Sequence, residues 1–267
     1  MIKSIGILGY GWLGTPLGLA LKDAGFTVKG TTRDTAKYEN LQEQGLAPYL
    51  LEITQDGLNE KSPGFFEDLD LLIINVPPNL RRDPSANYVH KMELLLKRVE
   101  DSGIEHLIFV SSTAVYGDIS GEIDEQTIPK PVTQSGKQLR RAEQLFQANA
   151  PLKATIVRFG GLLGGDRHPV KQLSGRELQN GDALVNLIHL NDCIHLLKTI
   201  ITQAYWGEVF NGVYPYHPTK KEYYTAQAKK LGVPPPKYLP SPKTPLLKKI
   251  IFRNFYVKGH DFTTSIS

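Results

Sequence analysis

A chain of 267 residues with 40% hydrophobic and 22% charged side chains has ordinary globular composition and can bury a sizeable core, which excludes a disordered protein. A formal charge of +4 is too mild to predict a nucleic-acid partner without a clustered basic face. The single cysteine, Cys193, excludes a disulfide framework or a multi-cysteine metal site, and no apolar run approaches the roughly 18 residues of a membrane span.

Short β-branched runs alternate with amphipathic stretches, the pattern of a parallel sheet with crossover helices. Strands are expected at Ser4 to Leu8, Thr27 to Thr32, Ala47 to Leu51, Leu69 to Asn75, His106 to Ser111 and Ala154 to Arg158. Between the first two, Leu13, Leu17, Ala20, Leu21 and Ala24 share one helical face and Gly25 follows as a C-cap, completing a βαβ unit. Further helices are expected from about Tyr88 to Ser102 and from about Ser135 to Ala148. After Arg158 glycines and prolines multiply, which indicates a smaller, looped lobe. The division expected is a Rossmann-like doubly wound α/β domain over 1–158 and 186–212, with a small C-terminal substrate lobe over 159–185 and 213–267. The start Met1-Ile2-Lys3-Ser4 runs into the first strand without a signal-peptide cleavage region, so a cytoplasmic setting is expected.

Gly9-Tyr10-Gly11-Trp12-Leu13-Gly14 is a G-x-G-x-x-G pattern between a strand and a helix. The first glycine permits a tight turn, the second lets a diphosphate approach the backbone, and the third lets helix and strand pack closely. The amides around Trp12 and Leu13 would then hold the diphosphate of a dinucleotide at the positive end of the helix. At the end of the second strand, where an NAD site usually has an acid for the ribose 2′-hydroxyl, the chain reads Thr31-Thr32-Arg33. Arg33 can grip a 2′-phosphate, so NADP is favoured over NAD; the alternative makes Arg33 a solvated loop residue and gives the acidic role to Asp34. Glu52 is either an acceptor for the adenine amino group or a surface charge. Val76, Pro77 and Ser111, at later strand ends, are expected to complete the coenzyme lining.

Ser111-Ser112-Thr113-Ala114-Val115-Tyr116-Gly117 resembles the extended short-chain dehydrogenase/reductases, the family of NAD-dependent epimerases and dehydratases. The likeness continues at Ile156 to Gly164, at Asn186-Leu187-Ile188-His189-Leu190-Asn191-Asp192 and at Phe210-Asn211-Gly212. It implies that Ser112 hydrogen-bonds a substrate oxygen, and that a Tyr and a Lys one helical turn later supply acid/base chemistry and hold the nicotinamide ribose. Here Ser135 stands at the Tyr position and Leu139 at the Lys position, with Glu143 matching the family's following Glu. A serine hydroxyl does not titrate near neutrality and leucine has no charge, so the usual mechanism cannot run unchanged.

Tyr116 is one candidate replacement, with a structural role under the loop as its alternative. Lys137 is two residues early on the same helix and faces elsewhere. His189 is either a proton shuttle or a structural histidine. Asp192 reads as a helix N-cap. Tyr216 and Lys220 form a chance Tyr-x-x-x-Lys interrupted by Pro218. Asn79, Arg81, Arg167, His168 and His189 are the expected substrate-side residues. If their loops face the crevice, the substrate is anionic, a phosphorylated compound or a nucleotide sugar; otherwise they are solvated basic loops. The basic tail from Lys243 to Lys258, interleaved with apolar residues, reads as a packed segment with snorkelling lysines. Neither a nucleic-acid nor a membrane partner is expected, and the resemblance leaves room for a homodimer. The leading expectation is an NADP-binding oxidoreductase or epimerase-like enzyme. Its rival is a non-catalytic NADP-sensing protein.

Overall fold

The structure, a computed structural model, describes residues 1–80, 83–240 and 247–267. In chain order the elements are β1 (Ser4–Leu8), α1 (Gly14–Asp23), β2 (Thr27–Thr32), α2 (Thr35–Glu43), β3 (Ala47–Ile53), β4 (Leu58–Glu60), β5 (Leu71–Ile74), α3 (Tyr88–Asp101) and β6 (His106–Ser112). A single 3₁₀ turn (Thr113–Tyr116) leads to β7 (Gly121–Ile123), α4 (Gln134–Gln147), β8 (Lys153–Phe159), β9 (Gly161–Leu163), α5 (Pro169–Leu173), β10 (Glu177–Leu178) and β11 (Leu187–His189). The chain ends with α6 (Leu190–Thr202), β12 (Val209–Gly212), α7 (Lys220–Lys230), β13 (Lys237–Tyr238), β14 (Lys248–Ile250) and α8 (Arg253–Val257).

The main sheet has eight strands in the order β12-β8-β6-β5-β1-β2-β3-β4. All neighbours are parallel except the edge strand β4, which runs antiparallel to β3. From β1 the chain proceeds outward through β2 and β3, then returns to place β5 on the other side of β1. That reversal between β1 and β5 opens a crevice beyond their carboxyl ends, the site where doubly wound sheets bind ligands.

Helices cover both faces of the sheet, so central strands need no polar face. In β5, Leu72 and Ile74 join the core under α3 and α4 with Met92, Leu95 and Phe146, while Leu71 and Ile73 join the opposite core with Leu17, Leu21, Leu197 and Ile200. Adjacent side chains point to opposite sides of a strand, and this run is buried on both.

Strand β12 lies beyond the last strand expected from the sequence and extends the sheet next to β8. Three two-stranded pairings, β9 with β11, β10 with β13 and β7 with β14, build the region over the carboxyl ends. A separate core of Leu163, Val170, Val185, Leu187, Tyr223, Tyr224, Ala228 and Ile266 supports it. The described part of the basic tail is consumed internally: Lys249 pairs with Glu122 at 2.7 Å, Arg253 with Asp124 at 2.9 Å and Lys258 with Glu208 at 2.9 Å. Lys243 lies outside the described residues. No helix among them is long and apolar enough to cross a membrane.

Candidate functional site

The glycine-rich turn leaves β1 and is fixed by its neighbours. The Gly9 amide donates to the Thr31 hydroxyl at 3.0 Å, the Tyr10 amide to the Thr31 carbonyl at 2.7 Å, and the Asn75 side-chain amide to the Gly9 carbonyl at 3.3 Å. Each glycine has a different physical reason. Gly9 has φ +109°, a conformation unfavourable for any residue with a Cβ. A Cβ at Gly14 would collide with the Gly9 carbonyl, whereas one at Gly11 would meet nothing within 4 Å. The turn therefore closes tightly at its ends and leaves its middle open. No side chain caps α1, and the amides of Trp12 and Leu13 donate to no acceptor among the described residues. They present free N–H groups at the positive end of the helix.

A cleft of about 530 Å³ runs from this turn along the carboxyl ends of β1, β2, β3 and β5. Gly9, Gly11, Thr32, Arg33, Glu52, Val76, Pro77 and Asn79 all line it, so the structure brings together residues that the sequence could only propose separately. Arg33 and Glu52 approach to 3.9 Å, with side chains 59% and 49% exposed, a loose pair that contributes little by itself. Asp34 lines the cleft beside Arg33, and one of its carboxylate oxygens accepts from the Ala36 amide at 3.0 Å and caps α2. Lys37, which sequence reading passed over, reaches back from α2 to donate to the Tyr10 carbonyl at 2.7 Å. Its position in the first turn of α2, the helix that follows the Arg33 loop, was the available signal.

Ser111 departs from its expected place in the coenzyme lining. It is 5% exposed and its hydroxyl donates to Glu143 at 2.7 Å. Glu143, fully buried on α4, also takes two bonds from Arg158 of β8, at 3.0 and 2.7 Å, and one from Arg140 at 3.0 Å. The remaining Arg158 arm donates to the Tyr116 hydroxyl at 3.0 Å, which itself donates to the Asn211 side chain on β12 at 2.9 Å. Tyr116 is thus buried and committed, and burial, against the opposing pull of Arg158, raises its pKa above the ordinary value. These contacts make it a support under the loop, not an acid/base facing the crevice.

Ser112, half-buried at the end of β6, accepts from the Ala114 amide at 3.2 Å and caps the 3₁₀ turn. Gly136 brings α4 against that turn, since a Cβ there would stand 2.7 Å from the Ala114 carbonyl. Ser135 therefore sits beside the Ser112 loop. Leu139, one turn later, is 5% exposed in the apolar core, and Lys137 is exposed. Lys248 supports the same loop from below, donating to the Gly117 carbonyl at 2.8 Å and the Thr113 carbonyl at 3.3 Å.

The other expected substrate-side residues divide. Arg81 lies outside the described residues. His168 caps α5, accepting from the Val170 amide at 3.2 Å, and its ring stacks on Tyr223 with centroids 6.1 Å apart. His189 caps α6 by accepting from the Asn191 amide at 3.2 Å, the role expected of Asp192. Asp192 instead is buried and receives the tail, accepting from the Thr264 amide at 3.1 Å and the Thr264 hydroxyl at 2.9 Å. Arg167 stands over the ring of Trp12, 5.1 Å from its centroid. Tyr216 is exposed and Lys220 opens α7, so that pair belongs to no common site.

The family model for NAD(P)H-binding proteins matches residues 10–186, which hold the glycine-rich turn from Tyr10 onward and every strand of the sheet from β2 to β8. The chain belongs to this NAD(P)H-binding family. Protein YeeZ of Escherichia coli strain K12 is 31% identical over 238 residues, covering 89% of this chain and 87% of YeeZ. Among solved structures, the dTDP-glucose 4,6-dehydratase DesIV of Streptomyces venezuelae, with NAD and TYD bound, aligns with TM-score 0.80 at 17% identity, covering 98% of this chain and 93% of that one. The UDP-glucose 4-epimerase of Thermotoga maritima with UDP-glucose aligns with TM-score 0.76 at 17% identity, covering 98% and 94%. The fold is that of the extended short-chain dehydrogenase/reductases.

An NAD(P)H-binding chain needs a place for two linked phosphates, and the open space at Gly11 beside the free amides of Trp12 and Leu13 fits that group. A larger depression of about 920 Å³ lies on the outer face of α7, lined by Thr219, Glu222, Thr225 and Lys229. It is open to solvent and lies apart from the strand ends. No cluster of three or more metal-ligating side chains occurs among the described residues.

Proposed function

We propose that the protein is an NADP-preferring oxidoreductase or epimerase-like enzyme of the extended short-chain dehydrogenase/reductase type, acting on a small anionic or nucleotide-sugar-like substrate. The observation that carries this reading is the single cleft in which Gly11, Arg33, Glu52, Val76 and Pro77 converge at the β1–β5 switch point. When bound, the coenzyme supplies a hydride acceptor or donor. The Trp12 and Leu13 amides hold the diphosphate, and Arg33 meets a 2′-phosphate with a charge-assisted bond. Such a bond is worth about 1.5–3 kcal/mol, or roughly a 10- to 150-fold preference over NAD. Lys37, already turned toward the glycine-rich loop, adds a second positive charge to that end of the cleft.

On the substrate side Ser112 offers a hydroxyl at the end of β6. Its neighbour Ser111 and the Glu143–Arg158 pair hold β6, α4 and β8 in register behind it, so the hydroxyl starts from a fixed position. The Tyr and Lys of the usual mechanism have no counterpart at Ser135 and Leu139, so the proton leaves or arrives by another group. A second reading, a non-catalytic NADP sensor, is favoured by one observation: Leu139 is packed in the apolar core where the family's ribose-holding Lys is expected.

Deuterated NADPH incubated with a panel of nucleotide sugars separates the two. Stereospecific label transfer supports the enzyme. Coenzyme binding without transfer across the panel moves the weight to the sensor.

A further inference from the structure

Arg167 was expected to meet substrate, but its surroundings direct it elsewhere. It follows β9 in a tight turn closed on both sides: the Gly164 amide donates to the Arg167 carbonyl at 2.9 Å and the Arg167 amide to the Gly164 carbonyl at 3.1 Å. Gly164 and Gly165 have φ +128° and +58°, the conformations such a turn requires. The turn is also wedged against α6, because a Cβ at Gly164 would stand 2.9 Å from the His189 ring and 3.0 Å from Leu190. Immediately after it, His168 caps α5 and stacks on Tyr223. The backbone of Arg167 is therefore held from three directions.

Its side chain is exposed and forms no ion pair among the described residues, yet it is parked over Trp12. Trp12 is the first residue after the open glycine of the turn, and its own amide is one of the free donors at the start of α1. A guanidinium at that place adds positive charge to a helix terminus that is already positive. The Trp12 ring attracts the guanidinium and restricts it to a small range of orientations beforehand, and an anion bound at the helix start would be drawn by both positive groups.

We infer that Arg167 is a coenzyme-binding residue: it closes over the bridging diphosphate of the dinucleotide from the side opposite the Trp12 and Leu13 amides. The turn after β9 thereby becomes a clamp that ties the small lobe to the coenzyme. The inference rests on the coenzyme reading above and deepens it. A nucleotide-sugar substrate also carries a diphosphate, so the test must separate the two sources.

The test is calorimetric titration of the wild-type chain, Arg167→Ala and Arg167→Gln with NADP⁺, 2′-AMP and UDP. 2′-AMP keeps the 2′-phosphate but has no bridging diphosphate, and UDP supplies a diphosphate without the nicotinamide coenzyme. The expected result is NADP⁺ binding weakened about 10- to 100-fold in both variants, with 2′-AMP and UDP unchanged. The chain has only two tryptophans, so a Trp206→Phe background makes Trp12 the sole indole reporter. In it NADP⁺ should alter the emission, and Arg167→Lys, which keeps the charge, should recover part of the affinity. Unchanged NADP⁺ affinity in both Arg167 variants would overturn the clamp while leaving the coenzyme reading intact. So would a loss confined to UDP, which would return Arg167 to the substrate. A wild-type chain that binds neither NADP⁺ nor NAD⁺ would overturn both.

Discussion

The two ends of the crevice are built differently. Around the glycine-rich turn the polar groups are left open: free amides at Trp12 and Leu13, an exposed Arg33 and empty space at Gly11. Around Ser112 the polar groups are almost all spent on one another, in a chain running Ser111, Glu143, Arg158, Tyr116 and Asn211. Open polar groups at a helix start are made for a ligand, whereas satisfied ones hold a shape. One end of the crevice is thus a binding site, and the other is a rigid platform on which Ser112 keeps a hydroxyl proton to donate while its oxygen accepts from the Ala114 amide.

Substitutions can break that contrast. The largest effect is expected from Glu143→Ala, which strands the buried Arg158 guanidinium. Removing one partner of a buried pair costs about 3–5 kcal/mol, measured as a lower urea midpoint. Gly14→Ala comes next. Its methyl group meets the Gly9 carbonyl, and overpacking of this kind costs about 1–3 kcal/mol, with coenzyme affinity falling alongside. Gly11→Val sharpens the comparison, because its side chain projects into open space. Stability should stay within about 0.5 kcal/mol of wild type while coenzyme affinity falls about tenfold or more. If Gly11→Val binds coenzyme normally, the middle of the turn is not the phosphate site.

The smallest effect concerns pH. Burial, and then nearby Lys171, hold the His168 imidazole below its ordinary pKa, and its Nδ1 accepts the Val170 amide. The unfolded chain therefore takes up the proton first. Stability should be level above about pH 6.5 and decline as pH falls through that value toward the lower folded-state pKa. His106 and His217 shift in the same direction, so His168→Gln should reduce the slope of melting temperature against pH rather than remove it.

Much of the cofactor half was legible because it is local. β1 and β2 have the ends expected from their β-branched runs, and the spacing of Gly9, Gly11 and Gly14 encodes a turn whose geometry depends mainly on adjacent strands. What the sequence hid depends on long-range contact. Asp192 looks like a cap from its place before an apolar helix, but its partner Thr264 lies 72 residues away, and His189 takes the capping role. Tyr116 looked available because Arg158 and Asn211, 42 and 95 residues distant, are invisible along the chain. β12, four residues long, is stabilised by pairing with β8 rather than by a pattern of its own. The Arg167 stack on Trp12 joins two motifs that were each recognised, but nothing in their spacing says that they meet.

The central claim is that the open end of the crevice selects the phosphorylated coenzyme through Arg33. Calorimetric titration of the wild-type chain and Arg33→Ala with NADP⁺ and NAD⁺ at one salt concentration tests it directly. NADP⁺ should bind the wild type about 10- to 150-fold more tightly than NAD⁺, and Arg33→Ala should remove most of that difference with NAD⁺ affinity unchanged. Equal affinities in the wild type, or a preference that survives Arg33→Ala, would contradict it.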